Sequence, residues 1–183
     1  MRVLIDTCVL YPTVTRELVL GVAKTGAFIP LWSPRILEEW ARAARKLGPS
    51  GELQARSEIA LTEAAFPKAQ VPVPVGLADR LWLPDENDIH VLAAAVGASA
   101  DAIMTLNAKD FPKGTLAEEG LMRIEPDTTL YQHWLGAPDA VEEVALSVLA
   151  QARSLSGEAW EMRALLKKAR LPRLAKALTH LEG

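Results

Sequence analysis

Short aliphatic runs alternate with stretches of helical periodicity from residue 2 to about residue 125, and this alternation limits the fold more than any other feature. Val3-Leu4-Ile5 is β-branched and aliphatic and stops at Asp6, as a strand buried on both faces would. Thr13–Lys24 carries Val14, Leu18 and Val22 at helical spacing, with Gly26 beyond its end. Residues 28–31 predict a second strand. Ser33-Pro34 joins an N-cap residue to a proline at the first helical position. A helix is therefore expected from there to about Leu47, before the Gly48-Pro49-Ser50-Gly51 break. Another is expected over 52–65. The valine–proline alternation at 71–75 suits an edge strand or an extended connector, because proline cannot donate to a ladder. Pro84-Asp85 opens a helix bearing Ile89, Leu92, Ala93 and Val96 and closing near Gly97. Residues 102–105 and 121–124 read as the third and fourth strands.

Strands separated by helices need crossover connections, so the fold class is α/β: a central, mostly parallel sheet flanked by helices. After Pro138 only helical patterns remain. Val141, Val144, Ala145, Val148 and Leu149 form one apolar stripe, and Leu171, Leu174, Ala175 and Leu178 form another. The chain ends in a helical C-terminal extension.

Half of the 183 residues are hydrophobic, enough for a sizeable core and too many for a disordered chain. One cysteine, Cys8, excludes a disulfide framework, and three scattered histidines beside it exclude a structural zinc finger. The apolar run at the N-terminus is too short for a signal peptide, and no stretch of roughly 18 apolar residues offers a membrane span. The expectation is a soluble, cytoplasmic protein. Its net charge of −3 hides a split, since residues 151–183 hold seven basic and three acidic side chains. The body is acidic, which argues against a simple nucleic-acid-binding domain, and the tail is basic.

In open α/β sheets the ligand cleft lies beyond the carboxyl ends of the strands. Asp6 ends the first strand, and Asn107 and Asp110 lie just past the strand at 102–105. Asp85 and Asp88 begin the helix that leads into that strand, so right-handed crossovers bring all these groups to one side of the sheet. Each acid also has an ordinary role open to it. Asp6 can cap a turn, Asp85 is a good N-cap, and Asp88 can complement the helix dipole. Asp88, however, falls at the edge of the apolar stripe of its helix, where a charge needs a partner. Clustered carboxylates titrate upward unless a cation neutralises them. Oxygen ligands without Cys or His select Mg²⁺ or Mn²⁺, which points to phosphate-ester chemistry. The helix opened by Ser33-Pro34 adds one more acid. Its apolar stripe is Ile36, Leu37, Trp40, Ala41, Ala44 and Leu47, and Glu38 and Glu39 lie about equally far to either side. Periodicity leaves that choice open, and either glutamate can instead pair with Arg42.

Val3-Leu4-Ile5-Asp6-Thr7, the Ser33–Glu39 segment, the Pro84–Ala95 segment and Thr105-Leu106-Asn107-Ala108-Lys109-Asp110-Phe111-Pro112 resemble, in order, the blocks of PIN-domain nucleases. The last two are the most specific, and together they are similar to the VapC-type toxin branch of bacterial toxin–antitoxin modules. The resemblance implies a three-layer α/β/α nuclease domain at 1–135 with a helical appendage at 136–183. It implies a metal-dependent endoribonuclease, the toxin of a type II toxin–antitoxin module, which hydrolyses RNA phosphodiesters with a metal-activated water and leaves a 5′-phosphate and a 3′-hydroxyl. On matching positions it makes Asp6, Glu39 and Asp88 the catalytic ligands of Mg²⁺ or Mn²⁺, with Asp85 and Asp110 as companions. Glu39, followed directly by a bulky apolar residue, matches better than Glu38. Thr105 becomes the hydroxyl that orients a ligand or a substrate phosphate. Asn107 stands where many relatives carry a fourth aspartate; it keeps a carbonyl oxygen but removes one negative charge. The alternative is a catalytically weak or inactive PIN-like module that binds RNA or a protein partner without cutting. The implied partners are RNA, a small antitoxin whose C-terminal segment covers the cleft, and a second copy of the chain.

Other residues carry less. The acidic surroundings of Cys8 supply no base, so a small buried side chain is expected. His90 falls opposite the apolar stripe of its helix and is expected to face solvent. Arg163, Lys167 and Arg170 have i, i+4, i+7 spacing, so they are expected to share one helix face; that face is either simply solvated or holds RNA phosphates. The five tryptophans are too dispersed for a base-stacking strip and are expected mostly in core or interface positions.

Overall fold

The computed structural model describes residues 1–182. In chain order it forms β1 (Arg2–Ile5), α1 (Thr7–Leu10), α2 (Thr13–Lys24), β2 (Ile29–Leu31), α3 (Pro34–Ala43) and α4 (Gly51–Ala65). There follow α5 (Ile89–Gly97), β3 (Ala102–Met104), α6 (Lys113–Glu118), β4 (Met122–Ile124) and α7 (Pro126–Gly136). Then come α8 (Pro138–Ser156), α9 (Met162–Lys168) and α10 (Pro172–Ala177). The chain divides into two compact units, residues 1–11 with 28–124, and residues 12–27 with those from 125 onward.

The first unit is built on a four-stranded parallel sheet in the order β2-β1-β3-β4. The two central strands carry the aliphatic runs: Val3, Leu4, Ile5, Ala102, Ile103 and Met104 have no accessible surface. The edge strands expose Ile29 and Met122. From β1 the chain moves outward to β2 on one side, and from β3 it moves outward to β4 on the other. The crevice past the ends of β1 and β3 is therefore the topological switch point of the sheet, where ligands bind in such folds. This is the parallel α/β architecture that the alternation predicts.

Local chemistry sets the elements around that crevice. Ser33 caps α3, its hydroxyl accepting from the Ile36 N–H at 3.3 Å, with Pro34 in the first turn. The α-helix gives way to a 3₁₀ turn at Ala44–Leu47, which ends at Gly48 with φ of 106°. The segment after α4 is a connector: Trp32 and Ala69–Val71 exchange one bridge, and no ladder continues because Pro72 and Pro74 have no N–H to give. The helix expected from Pro84-Asp85 begins as a 3₁₀ turn, Glu86–Asp88, before α5. Three short or unpatterned helices, α1, α6 and α7, leave no clear periodicity in the sequence.

The second unit is all helical, and α8 buries Val141, Ala145, Val148 and Leu149 as expected. Gly21 of α2 faces Val144 of α8, and a Cβ at that position would meet a Val144 methyl at 2.5 Å. The Asp127 carboxylate of α7 accepts the Arg173 N–H at 3.0 Å and the Leu174 N–H at 3.0 Å, capping α10 from a neighbouring helix. The tail corrects one expectation. α9 ends at Lys168 and Arg170 takes a left-handed φ of 61°, so Arg163 and Lys167 lie on a helix that Arg170 does not continue. Pro172, two residues on, cannot continue α9 and opens α10 instead. Among the described residues no helix is long and apolar enough to cross a membrane.

Candidate functional site

Two side chains leave the sheet at the switch point. Asp6 follows β1 with its N–H donating to the Met104 carbonyl at 3.0 Å, and Thr105 follows β3 with its N–H donating to the Ile124 carbonyl at 3.1 Å. Both are buried. The Thr105 hydroxyl donates to Asp6 Oδ2 at 2.7 Å and accepts the Asn107 N–H at 3.0 Å. Cys8 Sγ donates to the same Asp6 oxygen at 3.0 Å and accepts the Leu106 N–H at 3.2 Å. Burial, together with the negative charge and hydrogen bond of Asp6, pushes the Cys8 thiol up to about 12. Half-buried and protonated, it steadies Asp6 and is no nucleophile.

Asp85, Asp88 and Asp110 each offer a carboxylate oxygen, and these oxygens lie within 4.8 Å of one another. Asp6 and Glu39 are not part of that trio. Asp88 is pushed up to about 6, first by desolvation and then by the charges of Asp6, Asp85 and Asp110, with His90 opposing. Asp6 thus belongs to the same electrostatic cluster. Asp85 also acts as a cap, accepting the Asn87 N–H at 2.9 Å. The Asn107 side-chain amide donates to Asp110 Oδ2 at 2.6 Å. An aspartate there would add a fifth negative charge to these four; the asparagine supplies a donor instead.

On α3 the two glutamates diverge. Glu38 pairs with Arg42 at 2.8 Å and Arg56 at 3.0 Å, and hydrogen bonds from the two guanidiniums hold its carboxyl below the ordinary range. Glu39 accepts the Thr7 hydroxyl on Oε2 at 3.1 Å. On Oε1 it accepts His90 Nε2 at 2.9 Å and Arg35 Nε at 3.2 Å. Burial pushes Glu39 upward, but the hydrogen bond and charge of His90, with Thr7 and Arg35, outweigh it and the net shift is down. Thr7 follows Asp6 and His90 lies two residues after Asp88, so Glu39 is tied to both acid-bearing segments.

His90 departs from expectation. It is 7 % exposed and faces Glu39, because α5 is buried nearly all round at its start and has no solvent face there. A lone polar residue between Ile89 and Val91 in an otherwise apolar helix is the sequence signal for a buried, partnered side chain. Thr7 and Arg35, to which the sequence assigns no role, are the other two groups on Glu39. Arg163, Lys167 and Arg170 are exposed and belong to the helical unit.

The donor set is all oxygen, its acids are close enough that their charges add to burial in raising Asp88, and it fits a hard divalent cation. No curated protein and no solved structure matches the chain. A family model described as PIN domain matches residues 2–109, from β1 through Asp6, Glu39, Asp85, Asp88, Thr105 and Asn107, and stops one residue before Asp110. That match covers more than half of the 183 residues, and with a parallel sheet bearing an acidic cluster at its switch point the chain belongs to the PIN domain family, a family of nuclease type.

Proposed function

We propose that the protein is a metal-dependent endoribonuclease and the toxin of a type II toxin–antitoxin module of the VapC kind. The observation that carries this reading is the convergence of the Asp85, Asp88 and Asp110 carboxylate oxygens within 4.8 Å of one another, where burial and the neighbouring charges, that of Asp6 included, raise Asp88. A cluster held at such electrostatic cost is what a cation site for phosphodiester chemistry needs. Asp6, Glu39 and Asp88 would hold Mg²⁺ or Mn²⁺, with Asp85 and Asp110 beside them. When bound, the ion supplies positive charge to the phosphate and makes water a stronger nucleophile at neutral pH. Thr105 fixes the Asp6 carboxylate through its hydroxyl, and Asn107 fixes Asp110 through its amide. The products would be a 5′-phosphate and a 3′-hydroxyl. On this reading residues 1–135 form the nuclease domain and 136–183 its appendage, with Arg163, Lys167 and Arg170 contacting RNA phosphates. The protein would act in the cytoplasm, pair with itself, and be silenced by an antitoxin segment laid over the acidic crevice.

A second reading has one observation in its favour. Asn107, where the resemblance leads one to expect an acid, carries no charge and engages Asp110 at 2.6 Å, which leaves fewer negative oxygens for a cation. That would make the chain a weakly active or inactive module that binds RNA or a protein without cutting. Incubating the purified protein with a panel of structured RNAs and Mn²⁺, with and without EDTA, tests the proposal. EDTA-sensitive cleavage is the expected result; intact RNA at micromolar enzyme favours the second reading.

A further inference from the structure

His90 is buried at the first turn of an apolar helix, and its Nδ1 has no hydrogen-bond partner. A buried imidazole with one nitrogen unpaired is costly beside a well-packed apolar side chain, so its presence asks for a compensating role. The other nitrogen makes a single contact, to Glu39 Oε1 at 2.9 Å. With Thr7 on Oε2, the carboxylate is held from both sides by groups rooted next to Asp6 and Asp88. Arg35 adds a third bond, but it does so from α3 itself, one turn before Glu39, and is exposed. It cannot fix Glu39 relative to the other acids as groups on α1 and α5 can.

We infer that His90 is a positioning residue that sets the Glu39 carboxylate for a divalent cation, with Thr7 as its counterpart on the other oxygen. The inference rests on Glu39 belonging to the proposed metal site. Partners of this kind keep a ligand in one rotamer, and their removal typically lowers metal affinity by about 10–100-fold. A staple that merely tied α5 to α3 would affect melting and leave affinity alone.

The test is Mn²⁺ affinity, measured by calorimetry on the full chain and independently of cleavage. His90→Leu should weaken binding by about tenfold. His90→Gln, whose amide nitrogen can reach the place of Nε2, should restore most of it. His90→Asn, whose amide nitrogen corresponds to Nδ1, should not. In a Glu39→Gln background His90→Leu should cause no further weakening. Wild-type affinity in both His90→Leu and His90→Asn overturns the inference, as does an equal effect with and without Glu39. A wild-type protein that binds no Mn²⁺ overturns both this inference and the metal-site reading. Mn²⁺ binding that follows the expected pattern without RNA cleavage removes the nuclease proposal and leaves the role of His90 standing.

Discussion

Asp6 and Thr105 are 99 residues apart in sequence and share a buried 2.7 Å hydrogen bond at the ends of the two central strands. The parallel pairing of Ile5 with Met104 places them there, since each is the next residue along its strand. The hydroxyl both donates to the carboxylate and accepts from the Asn107 N–H, so it links the two strand ends to the loop that carries Asp110.

Thr105→Val keeps the shape and removes both bonds. A bond to a charged group contributes about 1.5–3 kcal/mol, so the variant should melt several degrees lower. Cleavage should fall by at least about tenfold, while Thr105→Ser should recover both properties. Unchanged activity in the valine variant would remove Thr105 from the site.

Glu39→Gln should reduce cleavage by orders of magnitude, and Glu38→Gln should change it little. Glu38 is committed to Arg42 and Arg56 at the surface, whereas Glu39 is bound by Thr7 and His90. Initial rates on one RNA at saturating Mn²⁺ decide between them. The reverse ranking would move the functional acid one residue along α3.

Asp88 gives the protein a pH signature without metal. Its carboxyl lies at about 6 in the fold against an ordinary 3.8. Between those values the native state holds a proton that the unfolded chain has released, so stability is greatest below about 4 and falls as pH rises to 6. Asp88→Asn should therefore raise the melting temperature in EDTA at about pH 7.5 and have no such effect at about pH 3.5. Allowing for its partial exposure, the gain is about 1 kcal/mol, or a few degrees. Mn²⁺ should raise the wild-type melting temperature and leave Asp88→Asn nearly unmoved. An asparagine variant less stable than wild type at the higher pH would contradict the cost that burial and neighbouring charges impose on ionised Asp88.

What the sequence makes legible and what it hides follow from the range of each signal. Strand ends and cap residues are local, so reading runs and crossovers gathers Asp6, Asp85, Asp88, Asn107 and Asp110 on one side of the sheet, and the resemblance adds Thr105. Glu38 and Glu39 are symmetric about the α3 stripe, so periodicity cannot separate them; the resemblance prefers Glu39, and in the fold it is Glu39 that meets partners on α1 and α5, about 30 to 50 residues away. His90 eludes periodicity for a related reason: a helical wheel assumes a solvent side, and α5 has none at its start. The break after α9 is readable in principle from Pro172, but the regular spacing of Arg163, Lys167 and Arg170 conceals it.

That break changes how the basic tail should be tested. Arg163 and Lys167 are four residues apart on α9 and exposed, while Arg170 stands in a left-handed turn beyond its end. If the tail holds RNA phosphates, the three need not act as one face. Arg163→Glu with Lys167→Glu should weaken RNA binding and lower the slope of log K against log salt by about 0.7 for each single-stranded phosphate no longer neutralised. Arg170→Glu should lower it by the equivalent of one phosphate at most. Mn²⁺ affinity should be unaffected in either variant, because every proposed ligand lies within residues 6–110. The measurement is a fluorescence-anisotropy titration with non-cleavable RNA at several salt concentrations. A slope that does not change when both α9 charges are reversed would mean that Arg163 and Lys167 hold no RNA phosphate.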